Sequence, residues 1–293
     1  VYGHDSRLRL EGNRVLFSYL TPEVITSLTE YREDLERTAD LVDISTLKKN
    51  EQLAFWINLH NAAVVEKIAT EYPVGWPSKI RLGDSDLPLD ETPFITVAGV
   101  KMSPKDIRTK IVYPNWRDPK VIYGFFRGEI GGPSIQNEAY TGSNIAGLLG
   151  KSATEFVNSL RGTQKNGKNL DVSEIYEEAR PFYFVNWEQD IREHLSEFAK
   201  AEVLEIIEGT SVVRANIYEE DIADLAKGER DPNYNLVISG DRARGGQVPP
   251  AIARLLREHG QKVEKIIKRD GRRGEVTFVD ISLSGPREPE EVE

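Results

Sequence analysis

The sequence predicts an α+β protein in which a central buried helix packs against a short antiparallel sheet, with a small C-terminal βαββ extension. Three observations predict this class. Residues 51–71 are apolar around almost the whole circumference of a helix, which is typical of a helix at the centre of a domain. Short apolar segments bounded by turn residues, at 94–100 and 212–218, indicate strands. After about Lys227 the composition changes and a new set of elements begins.

Start and stop signals define the elements of the main domain. A threonine N-cap followed by proline starts the first helix at Thr21-Pro22, which we expect to run to about Thr38. The central helix ends before Pro73, because proline cannot continue a helix. The other expected elements are a hairpin at 94–100, a helix started by Ser103-Pro104, strands at 120–126, 170–172 and 212–218, and helices at 141–160, 173–179 and 187–198.

The chain divides into a main α+β domain at residues 1–228, a small basic extension at 229–285 and a tail at 286–293 that we expect to be disordered. Between Ala226 and Glu275 there are 12 Lys or Arg against 7 Asp or Glu, so the extension offers a surface for an acidic partner or simply a solvated face. Its expected elements are a strand at 235–238, a helix opened by Pro249 and a hairpin within 262–283.

Composition excludes several classes of function. The 293 residues carry a net charge of −10, which argues against general nucleic-acid binding. There is no apolar run of 18 residues, so no transmembrane segment is expected. Cysteine is absent, which removes thiolate nucleophiles and Cys-ligated metal. No phosphate-binding glycine motif and no His spacing suited to a metal is present, so we expect no cofactor and no metal site.

The central helix carries three polar residues among its apolar ones, Asn58, His60 and Asn61. Polar groups that are buried must find partners or they cost free energy. One interpretation is that the two asparagines tie neighbouring loops to the helix and that His60 is a bonded core residue. The other is that the three line a ligand pocket. In either case we expect this helix to meet the glycine-bearing turn after residues 120–126.

Residues 55–62, Phe-Trp-Ile-Asn-Leu-His-Asn-Ala, resemble the Phe-Trp-Ile-Asn-x-Tyr-Asn-Ala signature of the family called domain of unknown function 547. Three other segments resemble that family in the same order. Residues 97–107 resemble its Gly-x-x-hydrophobic-Ser-x-x-Asp-Ile stretch, 132–141 its Cys-Pro-Pro…Ala-Tyr segment, and 217–221 its terminal Tyr-Asp-Trp strand. The resemblance covers roughly residues 45–225. It implies a bacterial, often exported protein, although plants also have members.

A distant likeness of that family to papain-like cysteine peptidases and transglutaminases implies an α+β core with a nucleophile after a central loop. This chain departs from the pattern at that point. Gly132 stands where the family tends to have Cys before Pro, Arg127 where an upstream Cys often lies, and Ile122 where a His is common; the signature's Tyr is His60. The protein therefore lacks the thiol of its relatives, and cysteine-dependent catalysis is excluded.

The segment that begins at Arg127 concentrates charge, glycine and a hydroxyl after an apolar run, and loops of this kind often carry function. Arg127 is suited to bind a carboxylate or phosphate. Glu129 either acts as a base or pairs with Arg127, and the pairing is the simpler interpretation. Ser134 with His60 would give a serine nucleophile, and Glu129 with Glu138 an acid–base pair, but no spacing supports either.

We therefore expect a non-catalytic or catalytically diverged protein that binds a small ligand or peptide between the central helix and residues 127–140. The ligand-binding residues would be Asn58, His60, Asn61, Arg127 and Ser134. One alternative is a hydrolase that uses Glu129, His60 or Glu138 for acid–base chemistry. Another is an assembly module with the extension as its interface. The start at Val1 suggests a removed signal peptide and hence export to the periplasm or cell envelope, although a cleaved tag gives the same start.

Overall fold

The computed structural model describes residues 12–226, Gly228 and the backbone of two short strands at 235–237 and 246–248. The α+β class is confirmed. Helices α1 (Pro22–Leu41) and α2 (Lys49–Glu71) pack against each other. Pro22 is the first residue of α1, as the Thr21-Pro22 pair predicts. Among the residues described, no helix has the length and apolar character needed to cross a membrane.

Helix α2 is the buried centre of the domain, as its all-round apolar pattern predicts. The Glu51 side chain accepts a hydrogen bond from the Lys48 backbone N–H at the start of the helix. Residues of the first half, including Ile57, belong to the larger of two apolar clusters. Residues of the second half, including Ile68, belong to a smaller cluster with Phe126. One helix therefore supports both cores.

The hairpin of strands β1 (Ile95–Val97) and β2 (Val100–Met102) lies where the sequence predicts it. Ser103 then caps helix α3 (Pro104–Asp106), accepting a hydrogen bond from the Asp106 N–H. The chain continues as a π-helical segment, Ile107–Val112, and helix α4, Tyr113–Asn115. Widened turns of this kind often occur at functional sites, and this one places Arg108 in the interior.

The expected strand at 120–126 is wrong. Residues Pro119–Gly124 form a 3-10 helix that Asp118 caps, and an extended stretch follows. A short buried apolar run does not distinguish a strand from a buried helical segment, and proline at the first position favoured the helix. The chain passes close to α2 at Gly124, where a Cβ would lie 2.6 Å from Ile57 Cδ1 and would displace that side chain.

The second half of the domain surrounds a three-stranded sheet in the order β3-β4-β5. This sheet is mixed, unlike the antiparallel β1–β2 sheet: β3 and β4 are antiparallel, whereas β4 and β5 are parallel, because three helices intervene between them. Helix α8 and strand β3 were not predicted. The elements are α5 (Ile145–Val157), β3 (Thr163–Asn166), β4 (Asn169–Ser173), α6 (Ile175–Tyr183), α7 (Trp187–Phe198), α8 (Ala201–Glu208) and β5 (Val212–Ile217).

Further along the chain, strand β6 (Asn235–Val237) confirms the strand expected at 235–238. It pairs antiparallel with β7 (Gly246–Val248), which was not predicted. The helix expected from Pro249, the hairpin within 262–283 and the tail at 286–293 lie outside the described residues. The proposed boundary between a main domain and an extension stays a prediction.

Candidate functional site

An open cleft of about 240 Å³ lies beside the second half of α2. Its walls come from four parts of the chain: α2 itself, the loop before the β1–β2 hairpin, the turn after Phe126 and the end of β5. The apolar lining consists of Val64, Pro77, Pro88 and Leu89, and the polar lining of Ser78, Asp90, Glu91, Arg127, Glu129 and Tyr218. An apolar wall with a few converging polar groups is the usual composition of a small-ligand site.

Asp90 is held in the cleft wall by Arg108, whose side chain is fully buried. The two guanidinium nitrogens donate to the two carboxylate oxygens at 2.7 and 2.6 Å. The same guanidinium donates twice to Glu178 of α6, both at 2.9 Å. The charge of Arg108 lowers the pKa of Asp90 against the opposing effect of burial. Asp90 therefore presents an ionised carboxylate in a fixed orientation.

Arg127 enters the same network from the turn after Phe126. Its Nη2 donates to Glu178 Oε1 at 2.7 Å, and the Tyr113 hydroxyl donates to that oxygen at 3.3 Å. The two guanidiniums overcome the desolvation of Glu178 and lower its pKa well below the ordinary value. The expected pairing of Arg127 with Glu129 is therefore wrong, because a carboxylate of α6 occupies the arginine instead.

Glu129 has neither a side-chain hydrogen bond nor an ion pair within the part of the chain that the structure describes. Burial of the carboxyl raises its pKa to about 8, and the negative charges of Asp90 and Glu220 act in the same direction. The positive charges of Arg127 and Arg108 oppose the shift without reversing it. Near neutral pH this carboxyl is largely protonated.

The backbone around Glu129 is fixed on both sides. Gly128 has a φ of +79°, and a Cβ there would collide with Ile68 of α2, so the turn requires glycine. The segment after β5 crosses this turn: the Ala223 N–H donates to Gly128 O at 2.7 Å, and the Ile130 N–H to Asp221 O at 2.8 Å. Glu129 therefore holds its place through its backbone while its side chain has no partner.

Asn58 and Asn61 bind backbone rather than line this cleft. Asn61 Nδ2 donates to Gly124 O at 2.8 Å, and its Oδ1 accepts from the Phe126 N–H at 2.9 Å. Asn58 makes the same reciprocal pair with the N–H and C=O of Tyr140, at 2.9 and 2.8 Å. Asn61 therefore contacts the last residues of the 120–126 segment itself, and not the glycine-bearing turn after it that the sequence predicted.

His60 is also buried, with no exposed surface, and lies behind Asp90. Its Nε2 is 2.9 Å from Arg108 Nη1 and its Nδ1 is 3.0 Å from Asn61 Oδ1. Arginine can only donate, so Nε2 accepts and Nδ1 donates. Burial, aided by the neighbouring Arg108, lowers the pKa of His60 to about 3. A neutral His60 thus connects α2 to the ion network without lining the cleft.

Neither Ser134 nor Glu138 lines the cleft, although Ser134 and Glu129 border one small cavity of about 10 Å³. Ser134 is buried in a separate cluster, where its hydroxyl donates to Glu155 at 3.0 Å and accepts from Arg161 at 3.2 Å. Glu138 is exposed and lines a second groove of about 250 Å³, which Asn58 and Asn61 also border. Of the residues selected from sequence, only Arg127 and Glu129 lie in the cleft.

Sequence reasoning missed Asp90, Arg108, Glu178 and Tyr218. The one available signal was the position of Arg108 directly after a capped helix start, on the apolar side of that helix. The others are charged or aromatic residues in ordinary loops and helices, and nothing local distinguishes them. Within the described residues, no group of three or more His, Asp or Glu side chains is arranged to hold a metal ion.

Comparison with known proteins gives one match. The family model described as "Protein of unknown function, DUF547" matches residues 44–157. That segment includes α2, Asp90, Arg108, Arg127 and Glu129, whereas Glu178 and Tyr218 lie beyond it. Neither the curated proteins nor the solved structures give a match.

Proposed function

We propose that this protein binds a small ligand or a peptide segment in the cleft between Asp90, Arg127 and Glu129. Residues 44–157, which match the DUF547 family model, supply all of the lining of this cleft except Tyr218. The family description assigns no activity, so the argument rests on the chemistry of the cleft. Export to the periplasm or cell envelope of a bacterium is part of the proposal through the family resemblance alone. An acidic partner for the 229–285 extension also stays a proposal.

The observation that carries the proposal is the unpartnered carboxyl of Glu129 beside an open cavity. The side chain of Glu129 is only partly buried, so its oxygens reach the cleft while no protein group in the described residues bonds them. In contrast, hydrogen bonds within the protein engage the side chains of the other polar residues nearby, Asn58, His60, Asn61 and Arg108. A ligand that bonds Glu129 supplies the missing partner.

The surroundings of the cleft favour binding because they are preorganised. Asp90 cannot rotate without breaking two bonds to Arg108, and the turn carrying Arg127 and Glu129 is fixed by backbone bonds to the 221–223 segment. A site whose groups are held in place before binding loses less conformational entropy when the ligand arrives.

A fragment screen by ligand-observed NMR tests the proposal. We expect hits on the wild-type protein that weaken in Glu129→Gln and whose affinity changes in Arg127→Gln, since both residues line the cleft. Glu138→Gln is the matched control, because Glu138 is an exposed glutamate on a different groove. Fragments that bind all four proteins equally, or no fragment binding at all, would remove the cleft as the ligand site.

One observation favours a second function, general acid–base hydrolysis. Two carboxyl groups in the same cleft have pKa values displaced in opposite directions, lowered for Asp90 and raised to about 8 for Glu129. Such a pair suits a proton donor and an ionised partner. The pair is Glu129 with Asp90, and not Glu129 with Glu138 as the sequence suggested.

Hydrolysis is tested with a panel of chromogenic esters and glycosides on wild type, Glu129→Gln and Asp90→Asn. A hydrolase predicts loss of activity by at least about 100-fold in Glu129→Gln, with activity falling in the wild type as pH rises through 8. Unchanged activity in Glu129→Gln removes that residue from the mechanism and leaves ligand binding as the function.

A further inference from the structure

We propose that the ligand of the cleft carries a positively charged head, an ammonium or guanidinium group, on an apolar stem. This inference rests on the proposed binding function and specifies the chemistry of the ligand. A lysine or arginine side chain of a peptide and a free alkylamine share this chemistry. The head would bind between Glu129 and Asp90, and the stem would lie along the apolar wall.

The balance of charge around the cleft favours a cation. Arg108 and Arg127 are matched by Asp90 and Glu178, since all three ion pairs among them are formed. Glu91, at the edge of the cleft, is paired with Lys105. Among the carboxyl groups that line the cleft, Glu129 alone has no ion-pair partner in the described part of the chain, so a bound cation would balance the charge of its ionised form.

The hydrogen-bonding capacity that the polar groups of the cleft leave unused also has room for a cation. Arg108 has its Nε, Nη1 and Nη2 engaged by Glu178, Asp90 and His60, so it offers nothing to an anion. Arg127 is tied to Glu178. In contrast, the side chain of Asp90 is 40% exposed, and Glu129 has no partner among the described residues. Arg127 uses one of its N–H groups on Glu178, so the cleft keeps donors at Arg127 and has open acceptor capacity at Asp90 and Glu129, which a cation would take.

Every charged group that faces Glu129 enters this balance. Arg127, two residues before it, and Arg108, from the π-helical segment, favour the ionised carboxyl. Asp90 from the loop before β1 and Glu220 from the segment after β5 oppose it. A ligand cation would shift the balance toward the ionised form, because it adds positive charge where burial has removed water.

The rest of the lining suits the remainder of such a ligand. Tyr218 contributes an aromatic ring that is 55% exposed, and a cation near the face of a ring gains further attraction. Ser78 Oγ is buried in the cleft wall with no hydrogen-bond partner among the described residues, and it can accept from an ammonium N–H. Val64, Pro77, Pro88 and Leu89 give the stem an apolar surface.

Binding of the cation would be coupled to loss of a proton. Near neutral pH the Glu129 carboxyl holds a proton, since burial raises its pKa to about 8. When the ammonium arrives, the O–H bond of Glu129 breaks, the proton passes to the buffer and the carboxylate pairs with the ligand. No bond to the ligand forms other than hydrogen bonds and the ion pair.

Isothermal titration calorimetry with three probes of equal length tests the inference: n-hexylamine, sodium hexanoate and 1-hexanol. Titrations at pH 7 in two buffers of different ionisation enthalpy report the number of protons released. We expect n-hexylamine to bind with proton release. Hexanoate and hexanol should bind at least about tenfold more weakly. Glu129→Gln should weaken amine binding and abolish proton release, whereas Glu138→Gln should change neither.

Thermal unfolding of each variant confirms that it is folded before titration. Preferential binding of hexanoate or hexanol would overturn the inference while leaving the proposed binding function intact. Amine binding that Glu129→Gln does not weaken would also overturn it, as would failure of the amine to bind. The proposed function is decided separately by the fragment screen, whose outcome does not depend on the charge of the probe.

Discussion

Asn61 bonds the backbone at residues 124 and 126, and Glu129 lies three positions further along the same segment. The two side chains differ in whether they have hydrogen-bond partners. Asn61 makes hydrogen bonds with Gly124, Phe126 and His60. Glu129 makes none with its side chain inside the described structure, although its backbone is held as firmly. A polar side chain whose hydrogen bonds are all made within the protein, such as Asn61, holds the fold together. A polar side chain without such bonds, such as Glu129, is available to a ligand.

Arg108 and Glu129 show the same contrast among charged groups. Arg108 is completely buried, yet every arm of its guanidinium has an acceptor. Glu129 is less deeply buried but lacks an opposite charge in contact. A buried charge that is fully bonded is part of the framework, whereas an unbonded one beside a cavity is a candidate for function.

The largest expected effect on the free energy of unfolding comes from Arg108→Met, which removes the fully bonded guanidinium. In this variant Asp90 and Glu178 lose the Arg108 guanidinium as an ion-pair partner. Loss of one partner of a buried ion pair costs about 3–5 kcal/mol of folding free energy. Urea unfolding measures the change. Lys110→Ala, which removes an exposed pair with Asp106 in the same helical segment, should cost less than about 1 kcal/mol. Equal losses in the two variants would contradict the framework role of Arg108.

A smaller effect, and one that depends on pH, is expected from Glu129→Gln. The folded-state pKa of about 8 lies above the ordinary value of 4.5, so the folded protein holds a proton that the unfolded chain loses between these values. The stabilisation is full below pH 4.5 and disappears as pH rises through 8. Glutamine mimics the protonated carboxyl, so relative to wild type the variant should gain about 2 kcal/mol between pH 5 and pH 8, less than full linkage because the group is partly solvated.

The measurement is urea unfolding of both proteins at several pH values. The pKa values of His60 and His194 are lowered to about 3 and about 4 by burial, so these groups make stability rise with pH up to about 6.5 in both proteins alike. The difference curve therefore isolates Glu129. Parallel curves would show that the carboxyl ionises normally and would weaken its functional assignment.

Asn61→Ala should have an effect of similar size, about 2 kcal/mol, because it leaves a buried N–H and C=O of the 124–126 segment without partners. Native-state hydrogen exchange of the Phe126 amide should become faster. Glu138→Ala, at an exposed position, should change stability by less than about 0.5 kcal/mol. An unprotected Phe126 amide in the wild type would mean that Asn61 does not hold this segment.

The fold was predictable where a local rule has one outcome. Thr21-Pro22 started α1, Ser103-Pro104 started α3, and the β1–β2 hairpin followed its turn residues. The prediction failed at 120–126, where a buried run of apolar residues suits a strand or a helical segment equally. Of the candidate site, Arg127 and Glu129 were found because glycines and charges cluster there.

The sequence by itself determined the α+β class, the buried α2 with its polar residues, and the absence of a thiol. Only the tertiary structure decided which charges meet. Asp90, Arg108, Arg127 and Glu178 lie on separate elements, and local pattern carries no information about partners that are 18 to 70 positions apart. The ionisation of Glu129 was decided in the same way, because desolvation and neighbouring charge are properties of the folded chain.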